Sequence, residues 1–110
     1  MRARGAAPLF AALGDATRLN LMRQLCDQGP RSIVQLTEGL TERSQVTRQA
    51  VSKHLLAMQR AGLVRSQRQG RERIWEIRQQ RLAEARRFLQ EISEQWDDSL
   101  RRLKAFVEAN

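Results

Sequence analysis

The clearest periodicity in this chain lies in residues 47–62, T-R-Q-A-V-S-K-H-L-L-A-M-Q-R-A-G. Ala50, Val51, Leu55 and Met58, flanked by Leu56 and Ala57, recur three and four residues apart, the spacing of one helical face. That face is expected to bury itself in a core. The opposite side holds Arg48, Gln49, Ser52, Lys53 and Gln59, hydrogen-bonding groups with positive charge and no carboxylate. Thr47 fits an N-cap, and Gly62 stands where a left-handed cap would end the helix.

Upstream, residues 1–7 read as a frayed tail. Pro8 opens a short helix that carries Leu9, Phe10 and Leu13 and stops at Gly14. Asp15 caps a second helix with the stripe Ala16, Leu19, Met22, Leu25 and Cys26, ended by Gly29-Pro30. Its place in that stripe predicts that Cys26 is a packed, inert thiol rather than a redox sensor. Ser32 opens a third helix holding Ile33, Leu36 and Leu40. Its length suits the first helix of a helix-turn-helix, in which the second helix enters the major groove. The connection 41–46 is longer than a minimal turn, and Val46 is an apolar residue just ahead of the N-cap.

Downstream of Gly62 the spacing changes. Residues 63–68 and 73–77 read as two short strands around the turn Gln69-Gly70-Arg71-Glu72, with Ile74 or Trp75 and Ile77 packing inward. A two-stranded hairpin needs support, so it is expected to lean on the helices as the wing of a winged helix does. Arg68, Arg71 and Arg73 near its tip are then placed for phosphates or a minor groove. From about Gln80 one helix runs to the end. Leu82, Ala85, Leu89, Ile92, Trp96, Leu103 and Phe106 form a seam broken only by Ser99 and widened by Phe88, Leu100 and Val107. At 1.5 Å per residue its roughly 27 residues span ~40 Å, more than a small body can cover. A partner helix is expected over the rest, with Trp96 in a core or interface rather than a ligand pocket.

The bulk composition narrows the function. With 110 residues, 29% charged and 41% hydrophobic, the chain is one small folded domain, or a domain with a helical extension. Its net charge of +8 predicts attraction to a polyanion. Residues 43–73 carry eight basic side chains against the single acid Glu72, so this window supplies +7 of the +8. The charge is a patch rather than a general bias. One cysteine excludes an intrachain disulfide and suits a reducing cytoplasm. No apolar run approaches the ~20 residues that span a bilayer, and the helical spacing of Leu9, Phe10 and Leu13 with Asp15 behind them argues against a secretory signal. His54, the only histidine, has no nucleophile or orienting carboxylate near it in sequence, so a phosphate contact or a packing hydrogen bond is expected of it, and no phosphate loop, catalytic triad or metal-ligand cluster is present. An enzyme is not expected.

The phrases F-A-A-L-G-D-A-T-R-L (10–19), R-Q-A-V-S-K-H-L-L (48–56) and A-G-L-V (61–64), in an order of helices, helix-turn-helix, basic hairpin and long final helix, resemble the ArsR family of winged helix-turn-helix repressors. The resemblance implies a dimer through the first and last helices and a palindromic operator. It implies groove and backbone contacts from Thr47, Arg48, Gln49, Ser52, Lys53 and His54, with wing contacts from Arg68, Arg71 and Arg73. Metal sensors of that family carry paired cysteines in or near the helix before the turn, or Asp and His ligands on the final helix. Residues 32–40 have no cysteine and the final helix no histidine, so the chain is similar to a member without metal ligands, and no cofactor is expected.

The expected fold is thus mainly α with a small β-hairpin. It comprises a flexible tail (1–7), a winged helix-turn-helix domain (8–79, recognition helix about 47–61, wing 63–77) and a C-terminal dimerisation helix (80–110). The expected function is a cytoplasmic, homodimeric, sequence-specific regulator of transcription, a repressor acting on double-stranded DNA. Leu9, Phe10, Leu82, Leu89, Ile92, Trp96, Leu103 and Phe106 are the expected dimer interface. The competing readings are a nonspecific nucleic-acid binder and a protein-interaction adaptor that uses the long amphipathic helix. The operator and any small-molecule or protein effector stay open.

Overall fold

The computed structural model describes residues 3–40 and 45–109. Five helices and three short strands follow in the order α1 (Ala3–Leu13), α2 (Ala16–Gln28), β1 (Arg31–Ser32), α3 (Ile33–Glu38), α4 (Arg48–Arg60), β2 (Val64–Gln69), β3 (Glu72–Ile77) and α5 (Gln79–Glu108). The part of the connection read as 41–46 that covers 41–44, including the basic Arg43, lies outside the described residues, as do Met1 and Arg2.

Caps explain most of the boundaries. Asp15 accepts a hydrogen bond from the Arg18 amide at 3.0 Å to start α2. Ser32 and Gln35 form a reciprocal capping box at the head of α3, with hydrogen bonds of 3.2 and 3.0 Å. Thr47 Oγ1 accepts from the Ala50 amide at 3.1 Å to start α4. At the other end of α4, Gly62 takes φ +81° and donates to Gln59 O, while Leu63 donates to Met58 O. These two bonds are the Schellman pattern, which only a residue tolerant of positive φ closes without strain. The chain therefore turns sharply from α4 into β2.

The sheet has the antiparallel order β1-β3-β2. The expected hairpin is present, and a third strand, Arg31–Ser32, pairs with Trp75 and Ile74 on its outer side. Two residues give no alternation to read, so this strand left no sequence signal. Trp75 lies in the core with Leu9, Leu21, Leu25, Leu36, Val51, Leu55, Met58, Leu63 and Val64. The apolar face of α4 is buried as its periodicity predicts, through Val51, Leu55 and Met58.

Several expectations near the N-terminus are corrected. The segment read as a tail is helical from Ala3, and Ala6 is buried. Pro8 sits inside α1 rather than in its first turn. The carbonyl that its missing N–H leaves without an intrahelical partner is that of Arg4, on the exposed first turn. In α2 the buried set is Leu21, Met22 and Leu25 with Gln24, whereas Leu19 is 52% exposed and Ala16 and Cys26 also face outward. Two apolar stripes share Met22 and Leu25 on this helix, and packing selects the one that runs through Leu21. Cys26 is accordingly an exposed thiol, not a packed one.

The final helix departs from the body. Phe88 packs against Phe10 with ring centroids 5.9 Å apart, and Ala85 is its one buried residue among those described. Beyond Phe88 every described residue of α5 is exposed, and the molecule measures 69 × 29 × 23 Å.

Candidate nucleic-acid interface

The first turns of α4 carry Arg48, Gln49, Ser52 and Lys53 at positions i, i+1, i+4 and i+5, which share one side of a helix. Arg48, Gln49 and Lys53 are exposed and Ser52 is half-buried. The capping Thr47 precedes them, also exposed. Because Val51, Leu55 and Met58 anchor the opposite side, this polar face is held outward on a rigid element. The positive end of the helix dipole lies at the same terminus and adds to the side-chain charge.

His54 differs from its neighbours. It is half-buried, and its Nδ1 lies 3.4 Å from a terminal guanidinium nitrogen of Arg18, accepting from it when the ring proton is on Nε2. Arg18 also donates to the carbonyls of Ala12 (2.5 Å) and Ala11 (3.4 Å) at the end of α1. One guanidinium thus links α1, α2 and α4. The structure turns His54 toward this link rather than onto the outward face, a placement that depends on residues 36 positions apart and that no local pattern signals. Nearby, Asp15 has its carboxyl held below the usual range by the Arg18 amide, with smaller electrostatic contributions from His54 and Arg18 in the same direction.

The hairpin supplies the second group. Gly70 has φ +64° and is the first of two loop residues between the partners Gln69 and Glu72, the placement of a type II′ turn. That register sets Arg71 at the tip and makes Arg68 and Arg73 direct cross-strand partners. All three are exposed, and none has a carboxylate within ion-pair distance among the described residues. Arg73 donates to Ser66 Oγ at 2.9 Å. Closer to the body, Arg65 is neutralised by its partner Glu76.

The residues expected to form the dimer surface divide. Leu9 is 0% exposed in the core, so no partner chain can reach it, a correction to its expected place in the interface. Phe10 and Leu82 are half-buried against the core. Leu89, Ile92, Trp96, Leu103 and Phe106 are exposed, Trp96 at 64%. Leu13, Leu82, Ala85 and Leu89 also line, with Phe10, a groove of about 470 Å³ between α1 and α5. Sequence periodicity alone cannot separate an apolar residue buried within its own chain from one covered by another.

A family model described as a helix-turn-helix domain matches residues 13–67. An ArsR-like transcriptional regulator from Rhodococcus sp. RHA1 is 34% identical, with a TM-score of 0.81 over 97% of this chain and 94% of its own. The chain belongs to the ArsR-like winged helix-turn-helix regulators. YuzN, an HTH-type transcriptional regulator of Bacillus subtilis (strain 168), is 38% identical over 68 residues, 60% of this chain and 74% of its own. The homodimeric winged helix-turn-helix DNA-binding domain of Mb0332 from Mycobacterium bovis is 22% identical, with a TM-score of 0.63 over 83% of this chain and 80% of that one. That likeness is one of fold. As an ArsR-like regulator the chain is a DNA-binding protein and not an enzyme. Among the described residues no helix is long and apolar enough to cross a membrane.

Proposed function

We propose that this regulator is a homodimeric repressor that occupies a palindromic operator in the cytoplasm. The observation that carries the reading is the exposed apolar seam of α5. Leu89, Ile92, Trp96, Leu100, Leu103, Phe106 and Val107 stand on a helix of 30 residues, roughly 45 Å at 1.5 Å per residue, most of which extends beyond the body. A contiguous apolar surface of this kind fits an interface, and its continuity with the groove between α1 and α5 favours a second copy as the occupant. The homodimeric Mb0332 domain shares the fold.

A two-fold dimer presents two α4 helices, which suits half-sites about one helical turn apart, ~34 to 36 Å. In this reading Arg48, Gln49, Ser52 and Lys53 face base edges, with Arg or Lys suited to guanine and Gln to adenine. Thr47 caps α4 and donates its hydroxyl to a phosphate. His54 supports the helix from behind through Arg18. Arg68, Arg71 and Arg73 contact the backbone beside the major groove. Occupancy of the operator obstructs polymerase, which is the repressing step.

Selection of bound fragments from the source genome tests the reading. It predicts enriched inverted half-sites spaced by one turn and a dimer in sedimentation at micromolar concentration. A monomer in sedimentation, or a single unpaired half-site, contradicts it.

A further inference from the structure

The hairpin bears its charges unevenly, and the pairing register shows where. Cross-strand partners share a face, with Cβ atoms about 4.5 to 5.5 Å apart, and like charges set directly opposite each other destabilise a hairpin. Arg65 faces Glu76 and is paired. Arg68 faces Arg73, and no carboxylate among the described residues lies within ion-pair distance of either. By strand alternation Glu72 and Glu76 lie on the other face from Arg73, which shares its side with the buried Trp75. Arg68 and Arg73 therefore project as direct cross-strand neighbours from one face of the hairpin, both exposed, and Arg73 also donates to Ser66 Oγ on that face.

We infer that Arg68 and Arg73 form a clamp for a single backbone phosphate of the DNA. A phosphodiester offers two unesterified oxygens and one negative charge, which suits two adjacent guanidinium groups and removes the repulsion that opposes them in the free protein. The inference rests on the reading of the hairpin as a DNA-contacting wing. It adds that the two arginines act on one phosphate as a unit, so the end of the hairpin is firmer on DNA than off it. Nearer the body, on the other face of the same strands, Arg65 has Glu76 opposite it, so the hairpin accommodates an opposite-charge pair.

The test compares Arg68→Gln, Arg73→Gln and the double variant for the salt dependence of binding to a duplex selected by the wild type, with thermal midpoints of the free proteins. Each phosphate released contributes about 0.9 to the slope of log affinity against log salt. The clamp predicts that each single variant binds more weakly yet keeps a slope near the wild-type value, because the remaining arginine still holds the phosphate. The double variant loses about 0.9. Either single variant raises the midpoint of the free protein, and the second substitution adds nothing further. Slopes that fall by about 0.9 in each single variant and about 1.8 in the double overturn the clamp and leave the wing reading intact. Unchanged affinity and slope in all three variants overturn both.

Discussion

The side-chain amide of Gln24 occupies the space that a Cβ on Gly39 would need. Its Nε2 donates to the Leu36 carbonyl at 3.1 Å and to Asn20 Oδ1 at 2.9 Å, which fixes the end of α3 on α2. Gly39→Ala is therefore expected to displace the amide, leave a buried carbonyl unpaired and cost ~1 to 3 kcal/mol in urea unfolding. In a Gln24→Ala background the same change should cost less, since the collision is gone. Equal costs in both backgrounds would remove this contact from the account.

Trp75 anchors the sheet in the core, and its indole N–H has no hydrogen-bond partner among the described residues. Trp75→Phe keeps most of the apolar volume and removes the unpaired donor, so it should cost far less than Trp75→Ala, for which ~3 to 5 kcal/mol is expected. Denaturation curves of the two variants decide it. A phenylalanine variant as unstable as the alanine variant would show that the indole N–H is satisfied after all.

The cap at Asp15 predicts a pH dependence with a definite sign. The carboxyl is held below its ordinary value, about 3.9, first by the Arg18 amide and then by the charges of His54 and Arg18. A depressed carboxylate contributes stability that is fully present above the unfolded-state value and lost as the pH falls through the folded one. Asp15→Ala should lower stability by ~1 kcal/mol at pH 7, and the gap to wild type should close on acidification below pH ~4. A gap that stays constant down to pH 2 contradicts the assignment.

The exposed seam of α5 and the buried Leu9 should respond differently to substitution. Ile92→Glu or Trp96→Glu changes an exposed residue of α5, so the protomer should keep its fold, sediment as a monomer and bind DNA weakly. Leu9→Ala empties a fully buried site and should cost ~2 to 5 kcal/mol of protomer stability. If Trp96→Glu remained a dimer, the α5 seam would not be the interface.

The sequence made α4 legible because three independent signals agree there: the Thr47 cap, the spacing of Val51, Leu55 and Met58, and Gly62 at the terminus. The hairpin was legible through the turn at Gly70, with Leu63 and Val64 ahead of it and Ile74, Trp75 and Ile77 after it. What stayed hidden depends on distant partners. Arg18 and His54 meet across 36 residues, and β1 is too short to show a period. Leu9 and Ile92 look alike in a helical pattern although one is in the core and the other is exposed. Cys26 and Leu19 turned outward because packing chose the neighbouring stripe of α2.

The role proposed for the outward face of α4 is to read base sequence. The most direct measurement is the ratio of affinities for a selected operator and for mixed competitor DNA, in wild type, Arg48→Ala and Gln49→Ala, at one fixed salt concentration. Each substitution is expected to lower the ratio by the equivalent of ~1 to 3 kcal/mol, about the value of a lost bidentate base contact, while binding to competitor DNA changes little. Ratios equal to the wild-type value in both variants would contradict it.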